Sequence, residues 1–457
     1  MEMTQKENKM GTMGIPKLLF SISVPIIISM IVQALYNIVD SVYVAQFDNN
    51  AGTGALTAAF PIQNLMIAVS VGLAVGMNAL LSRSLGQKNF EKANVIAGQG
   101  FFLTFCGYLL FLVIGLFFVK PYALTQAAAG TPLYNYTVDY LTIVTVCSFG
   151  VFVQVVTERL LQATGKSFYS MIIQLSGAVI NIILDPILIF GWLGFPAMGI
   201  AGAAVATVVG QCFAGALGIV LNIAVNKEVR ILIRNFLPRF DLIREMLAIG
   251  IPSVLMQAIG SVMTFSMNMI LKGFGTAPYN VFGVYFKLQS FVFMPVFGLN
   301  NGMIPIVSYN FGARKRERVF STVRLAALSA VCYMLLGFAV FQLLPDALLG
   351  FFNATEEMLA VGKVALRLIS IAFVFAGFSV VASATCQALG KSIYSLVISV
   401  GRQLVALIPA AFLLSLSGNV SLVWLAFPIA EVMSLVLCVV FLIRVLTRAF
   451  PKEQKEV

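Results

Sequence analysis

Roughly twelve apolar runs, each about 18 residues or longer and set apart by short polar breaks, restrict this chain to one solvent. A run of that length crosses the hydrocarbon of a bilayer as a helix, because a helix satisfies its own backbone where no water can. The runs fall at about 15–45, 53–82, 93–118, 135–162, 165–191, 197–225, 242–272, 279–308, 318–343, 358–388, 391–416 and 421–448. Sixty per cent of the residues are hydrophobic and only 10% are charged, against roughly 45–50% and 25% in soluble domains. The fold class expected is therefore all-α integral membrane. The first run is too long for a signal peptide and lacks a small-residue cleavage site, so it reads as a retained span.

The net charge of +11 would suit a nucleic acid, but its placement argues against one. One set of alternate connections carries Arg83, Lys88 and Lys92, then Lys166, then Lys227, Arg230, Arg234, Arg239 and Arg244, then Arg314, Lys315, Arg316 and Arg318, then Lys391. Arg444, Arg448 and Lys452 follow the last run, and the opposite connections offer little beyond Lys120, Lys272 and Lys363. Positive charge stays on the cytoplasmic side, which predicts cytoplasmic termini and a cytoplasmic central loop. Anionic headgroups are then the neighbours of these cations, and no nucleic-acid partner is expected. All six cysteines (Cys106, Cys147, Cys212, Cys332, Cys386, Cys438) fall in apolar runs without a C-x-x-C pair, as packing residues do. Histidine is absent, which removes the commonest zinc ligand and proton shuttle, so no metal site and no cofactor is expected.

The chain also repeats itself. QATGKSFYS (Gln162 to Ser170) returns as QALGKSIYS (Gln387 to Ser395), an offset of 225, and GLAVGMNALLSRSLGQK (Gly72 to Lys88) returns as GLNNGMIPIVSYNFGAR (Gly298 to Arg314), an offset of 226. An even number of spans in each copy makes the repeats parallel, so two pseudo-symmetric six-helix bundles flanking a cleft are expected. The division predicted is an N-terminal lobe at 1–228, a charged linker at 229–241 and a C-terminal lobe at 242–457. Prolines recur within the spans at Pro25, Pro61, Pro186, Pro252, Pro295, Pro305, Pro409 and Pro428. Each removes a backbone bond and can bend its helix; Pro25 is singled out as a hinge because it shares a helix with Asp40.

Ionisable residues deep in the spans are costly enough to point to function. Asp40 and Asp185 lie near the outer ends of the first and fifth runs, and Asn181 shares a helix face with Asp185 four residues on. Thr207 in the sixth run reaches a depth like that of Asn181. Two carboxylates, an amide and a hydroxyl suit a hard cation such as Na⁺, and two adjacent acids in low dielectric equally suit a proton; both coupling ions stay open. In the second copy Asp185 is replaced by Ala410, Asn181 by Ala406 and Asp40 by Met267. The second half instead carries Arg402 and Glu431 near the midplane, expected to form a structural pair, and Lys287, which would join that pair or line the cleft. The cleft walls expected from repeat symmetry are Met30, Gln33, Tyr36, Phe60, Asn64 and Met66 in the first half. Met256, Gln257, Met263, Met267, Asn268, Lys287 and Met294 are their counterparts in the second. Methionine and aromatic walls adapt to many ligand shapes.

ISVPIIISMIVQALYNIVDSVYVAQF, QATGKSFYSMIIQLSGAVINIILDPILIF, MGIAGAAVATVVGQ, LAIGIPSVLMQ and WLAFPIAEV together resemble the multidrug and toxic compound extrusion (MATE) family over nearly the whole chain, its MepA-like bacterial group in particular. The resemblance implies two six-helix bundles forming a V-shaped cleft and export of organic, mostly cationic amphiphiles against inward Na⁺ or H⁺. It assigns the family's first-helix Asp and bending Pro to Asp40 and Pro25, the fifth-helix Asn and Asp to Asn181 and Asp185, and the sixth-helix Thr to Thr207. Members of the NorM type carry acids in the seventh and tenth helices, and the corresponding spans here contain none. The expected protein is thus an antiporter of small-molecule drugs, monomeric in the lipid bilayer of a bacterial plasma membrane. A lipid-linked saccharide flippase would want a strongly cationic cleft, and this chain offers few buried cations beyond Lys287, Arg367 and Arg402. A membrane-embedded enzyme lacks any nucleophile–base pair.

Overall fold

The computed structural model describes residues 8–48, 50–352 and 355–450; Lys452 of the basic set lies outside them. Among these residues the chain forms helices and turns without a strand. Ten helices are long and apolar enough to cross a bilayer, and two further bent pairs make twelve. In chain order they are α1 (Ile15–Phe47), α2 (Ala51–Gly86), α3 (Phe90–Gln126), α4 (Pro132–Val146 with Phe149–Ala163), α5 (Ser167–Phe190), α6 (Ile200–Val225), α7 (Phe240–Lys272), α8 (Thr276–Gly312), α9 (Arg316–Leu343), α10 (Glu356–Ser370 with Phe373–Ala388), α11 (Ser392–Ser415) and α12 (Val420–Ala449). Each matches one expected run, and several extend beyond it because helical hydrogen bonding continues past the apolar window. All six cysteines are free.

The two helix breaks are not where proline would put them. Pro25, Pro61, Pro252, Pro295 and Pro305 lie inside unbroken helices. The bends of 46° and 47° fall in α4 and α10, at Cys147–Ser148 and Ile371–Ala372, where neither copy has proline. These two breaks occupy the same place in the two repeats. Two π-helical turns, Ile114–Phe118 in α3 and Gly401–Leu407 in α11, are further local departures that the sequence did not announce.

Packing divides the chain into two compact units, and the division does not fall at the 229–241 linker. One unit is Ile28–Val254; the other joins the residues up to Ile27 with those from Leu255 onward. Helices α1 and α7 therefore each contribute to both units. The repeated glycines supply the physical reason. In the first unit, a Cβ on Gly76 would stand 2.3 Å from the Met246 carbonyl oxygen, and one on Gly72 3.0 Å from the Val254 nitrogen, so α2 receives the N-terminal half of α7 at backbone contact. In the second unit, Gly302 faces Ser23 and Gly298 faces Ile27 equally closely, so α8 receives the N-terminal half of α1. Close approach of this kind needs small residues because lipid offers no hydrophobic drive to hold helices together.

The duplicated turns show why the repeated residues recur. Gly165 and Gly390 end α4 and α10 at φ +77° and +75°, a conformation that favours glycine. The following Lys166 and Lys391 amides reach back to the carbonyls of Leu161 and Cys386 at 2.7 and 2.8 Å, the six-to-one bond of a Schellman end. Ser82 Oγ donates to the Ala163 carbonyl at 3.0 Å and Ser308 Oγ to that of Ala388 at 2.8 Å, tying each second helix to the turn of its own repeat. Both serines are wholly buried. Ser82→Ala and Ser308→Ala are each expected to cost about 1 kcal/mol, read as similar small drops in thermal midpoint in detergent; a loss confined to one variant would show that the ties are not equivalent.

Candidate functional site

Within the unit Ile28–Val254, α5 presents Asn181 and Asp185 one turn apart on its inward face. Asn181 Nδ2 donates to Asp185 Oδ1 and to Thr207 Oγ1 of α6, both at 3.3 Å. Gly177 on α5 and Gly210 on α6 permit this approach, since a Cβ on Gly210 would lie 2.7 Å from the Gly177 carbonyl. Asp40 of α1 is buried too, and its charge acts on Asp185 and on the phenols of Tyr36 and Tyr140. Asn181, Asp185 and Thr207 are thus joined directly, and Asp40 lies within electrostatic reach of Asp185.

What distinguishes this cluster is the balance of donors and acceptors. Asp40 Oδ1, Asn181 Oδ1 and Asp185 Oδ2 are all buried and lack any hydrogen-bond partner. A buried acceptor without a donor is rare and costly, and here three oxygens share the deficit. Unpaired oxygens of this kind suit a hard cation or protons shared between acids.

A cavity of about 240 Å³, counting its open mouth, adjoins the cluster and is lined by Tyr36, Gln154, Gln174, Gly177, Ala178, Asn181, Thr207 and Gln211. It suits water or a hydrated ion rather than a drug-sized molecule. From it a polar chain continues: Gln154 Nε2 donates to Gln174 Oε1 at 2.8 Å and to Glu158 Oε1 at 3.0 Å. Asp185 to Gln174 spans eleven residues of α5, or roughly 16 Å of polar strip. Glu158 lies five residues before the end of α4 at Ala163, so the strip leads toward the QATGKS turn. Sequence reasoning missed Glu158 and Gln154. The available signal was their four-residue spacing in VQVVTERLLQ, an acid inside an apolar run, together with Ser383 at the offset of 225. Tyr140, which accepts from Gln63 Nε2 at 3.0 Å beside the acids, was also missed.

Residues 25–187 and, separately, 252–413 match the family model described as MatE. The chain belongs to the MatE family. The two matches begin at Pro25 and Pro252 and cover the two repeats in turn, which is the duplication read from the sequence. The multidrug export protein MepA of Staphylococcus haemolyticus (strain JCSC1435) is 27% identical over 409 residues, 89% of each chain. MepA of Staphylococcus aureus (strain MSSA476) is 24% identical over 410 residues, again 89% of each. Among solved structures, the MATE multidrug transporter DinF-BH, solved as a complex, is 32% identical, with 96% of this chain and 98% of that one covered and a TM-score of 0.84. An outward-facing multidrug resistance MATE family transporter of the MOP superfamily aligns at 22% identity with a TM-score of 0.88, covering 98% and 99%, and bears on the fold alone.

In this MatE protein the expected wall residues divide. Met30, Gln33, Tyr36 and Asn64, and likewise Met256, Gln257, Met263, Asn268 and Met294, are half-buried on their units. Phe60 is 64% exposed. Met66 and Met267 are corrected: at 1% and 0% exposure they are interior packing, Met66 in a cluster with Ala59, Phe111 and Tyr140. Repeat symmetry chose the right helices, but a turn of about 100° per residue decides which face each methionine takes. Lys287 does not join the charged pair; it is exposed, with Nζ 5.8 Å above the Phe352 ring. Arg402 Nη1 and Glu431 Oε2 do meet, at 3.5 Å. Pro25 lies two residues before the point at which α1 passes from one unit to the other.

Proposed function

We propose that the chain, similar to the multidrug export protein MepA, is a cation-coupled antiporter that exports organic, mostly cationic amphiphiles from a bacterial plasma membrane. The observation that carries this reading is the trio of partnerless buried oxygens on Asp40, Asn181 and Asp185. They stand in one unit only, while the family relationship spans both. An ion that binds this trio more tightly in one conformation than in the other shifts the equilibrium between the two by its differential affinity. Loading from outside then favours the drug-releasing state, and loss of the ion to the inside favours reloading. The basic residues of the alternate connections support cytoplasmic termini, and the low polarity of the exposed surface supports lipid as the surroundings. The monomer is sufficient for this cycle, since the oxygen trio and its polar chain come from one copy.

The experiment is dye efflux from inverted vesicles under an imposed Na⁺ gradient and then an imposed pH gradient. One of the two is expected to drive export; export driven by neither overturns the reading. The polar chain adds a narrower expectation. Glu158→Gln should slow gradient-driven efflux by roughly 5- to 150-fold, the size of an ordinary coupling energy, while drug binding in detergent stays unchanged. Unchanged efflux would confine Glu158 to a packing role.

A further inference from the structure

Helices α1 and α7 are each entered from a segment that is tied down before the helix begins. Ahead of α1, the short helical turn Lys9–Thr12 sits against α8 and α9 with Met10 wholly buried. The Met10 carbonyl accepts from Asn310 Nδ2 near the end of α8 and from Arg318 Nη2 of α9, both at 3.0 Å. Arg318 Nη2 also donates to the Met13 carbonyl at 2.7 Å, and Lys315 Nζ to that of Gly11 at 2.9 Å. Ahead of α7, residues 230–239 are tied to α3. Gln99 Nε2 donates to the carbonyls of Asn235 and Leu237, both at 2.7 Å, while its Oε1 accepts from the Arg239 amide at 2.9 Å. Asn94 Oδ1 accepts from the Arg230 amide at 2.7 Å, and Phe236 stacks on Phe101.

The two ties match in place and differ in chemistry. Setting Pro25 on Pro252, an offset of 227, brings Met10 onto Leu237, so the corresponding carbonyl is gripped in both copies. The gripping side chains do not correspond. At the offset of 226 that relates α8 and α9 to α2 and α3, Arg318 falls on Lys92, Asn310 on Ser84 and Leu325 on Gln99. A tie that persists while its side chains are exchanged is a requirement of the architecture rather than a relic of duplication. Asn310 and Gln99 are wholly buried, so release of either segment would strand a buried amide, which is costly. Both segments lead into the helices that pass from one unit to the other, at Ile27–Ile28 in α1 and at Val254–Leu255 in α7. We infer that Arg318 and Gln99 are positioning residues for transport, holding the entries of α1 and α7 fixed through the cycle so that conformational change is taken up along these two helices, beyond the anchors. The inference rests on reading the chain as an exporter that alternates between two conformations.

Hydrogen exchange on the full chain in detergent tests it without transport, so its failure is separable from failure of the export reading. Residues 8–13 and 235–239 should exchange slowly with and without Na⁺ and at acidic and neutral pH, conditions that shift a cation-coupled equilibrium. Arg318→Gln should speed exchange in 8–13 alone and Gln99→Leu in 235–239 alone, each about tenfold or more. Fast exchange of either segment in the wild type under any of these conditions overturns the inference. A covalent tie then separates positioning from packing. Gly11→Cys with Lys315→Cys, in a chain whose six native cysteines are replaced by alanine, is joined by a bifunctional thiol reagent about as long as the lysine side chain it replaces. Asn94→Cys with Arg230→Cys is joined in the same way. Joined and unjoined chains should export dye equally, and loss of export on joining shows that the segment must detach, which overturns the inference. Arg318→Gln should lower efflux, and joining residues 11 and 315 in that variant should restore it. A deficit that joining does not repair assigns Arg318 to stability alone and also overturns the inference.

Discussion

Asp185→Asn is expected to abolish gradient-driven efflux while leaving the protein as stable as the wild type or more so. Asparagine preserves the shape and keeps an oxygen for the Asn181 amide, now 3.3 Å from Asp185 Oδ1. What it removes is the ionisable group of a wholly buried side chain within electrostatic reach of Asp40. Two carboxylates in a medium of low dielectric oppose one another, so removing one relieves the folded state. An ordinary structural residue behaves in the opposite way, losing stability with function. Loss of coupled efflux together with an equal or higher thermal midpoint in detergent is therefore a signature that packing cannot imitate. Asp40→Asn should behave alike. Wild-type efflux in both variants would sink the proposed coupling site, and a lowered midpoint in both would reassign the acids to the core.

Gly76→Ala is expected to be strongly destabilising. The new Cβ would sit 2.3 Å from the Met246 carbonyl oxygen, 3.1 Å from its carbon and 3.3 Å from the Gly250 nitrogen. All three are backbone atoms of α7, so no side-chain rotation relieves the clash and the helix itself must move. Overpacking of a close-packed interior costs about 1–3 kcal/mol, and an unyielding backbone places this site at the upper end. Gly283→Ala on α8 is the internal comparison. Nothing lies within 4 Å of its Cβ position, so it should be neutral or gain up to about 1 kcal/mol from reduced backbone freedom. Thermal midpoints that do not separate the two variants would contradict the packing of α2 on α7.

The twelve spans were legible because bilayer insertion reads length and mean polarity, which are local properties of a sequence. The acid cluster was legible for a related reason: Asp40, Asn181 and Asp185 are anomalies in apolar surroundings, and helix spacing aligns two of them without knowledge of any neighbour. Glu158 escaped because its significance depends on Gln174, twenty residues from Gln154 in sequence and 2.8 Å from it in space. Met66 and Met267 were assigned to a wall because symmetry picks helices but not faces. The bends at Cys147–Ser148 and Ile371–Ala372 had no sequence marker, since neither involves proline.

The amino-acid sequence by itself determined the solvent of this protein, its duplication and the half that keeps the acids, because charge cost and apolar length act on each segment separately. Only the tertiary structure decided that α1 and α7 each serve both compact units, and that the glycines repeated at 72 and 298 and at 76 and 302 exist to seat them. A glycine in a sequence shows only that a side chain is missing. Whether the space is filled by lipid, by a turn or by another helix's backbone depends on contacts between segments more than a hundred residues apart, and these arise only when the chain has packed.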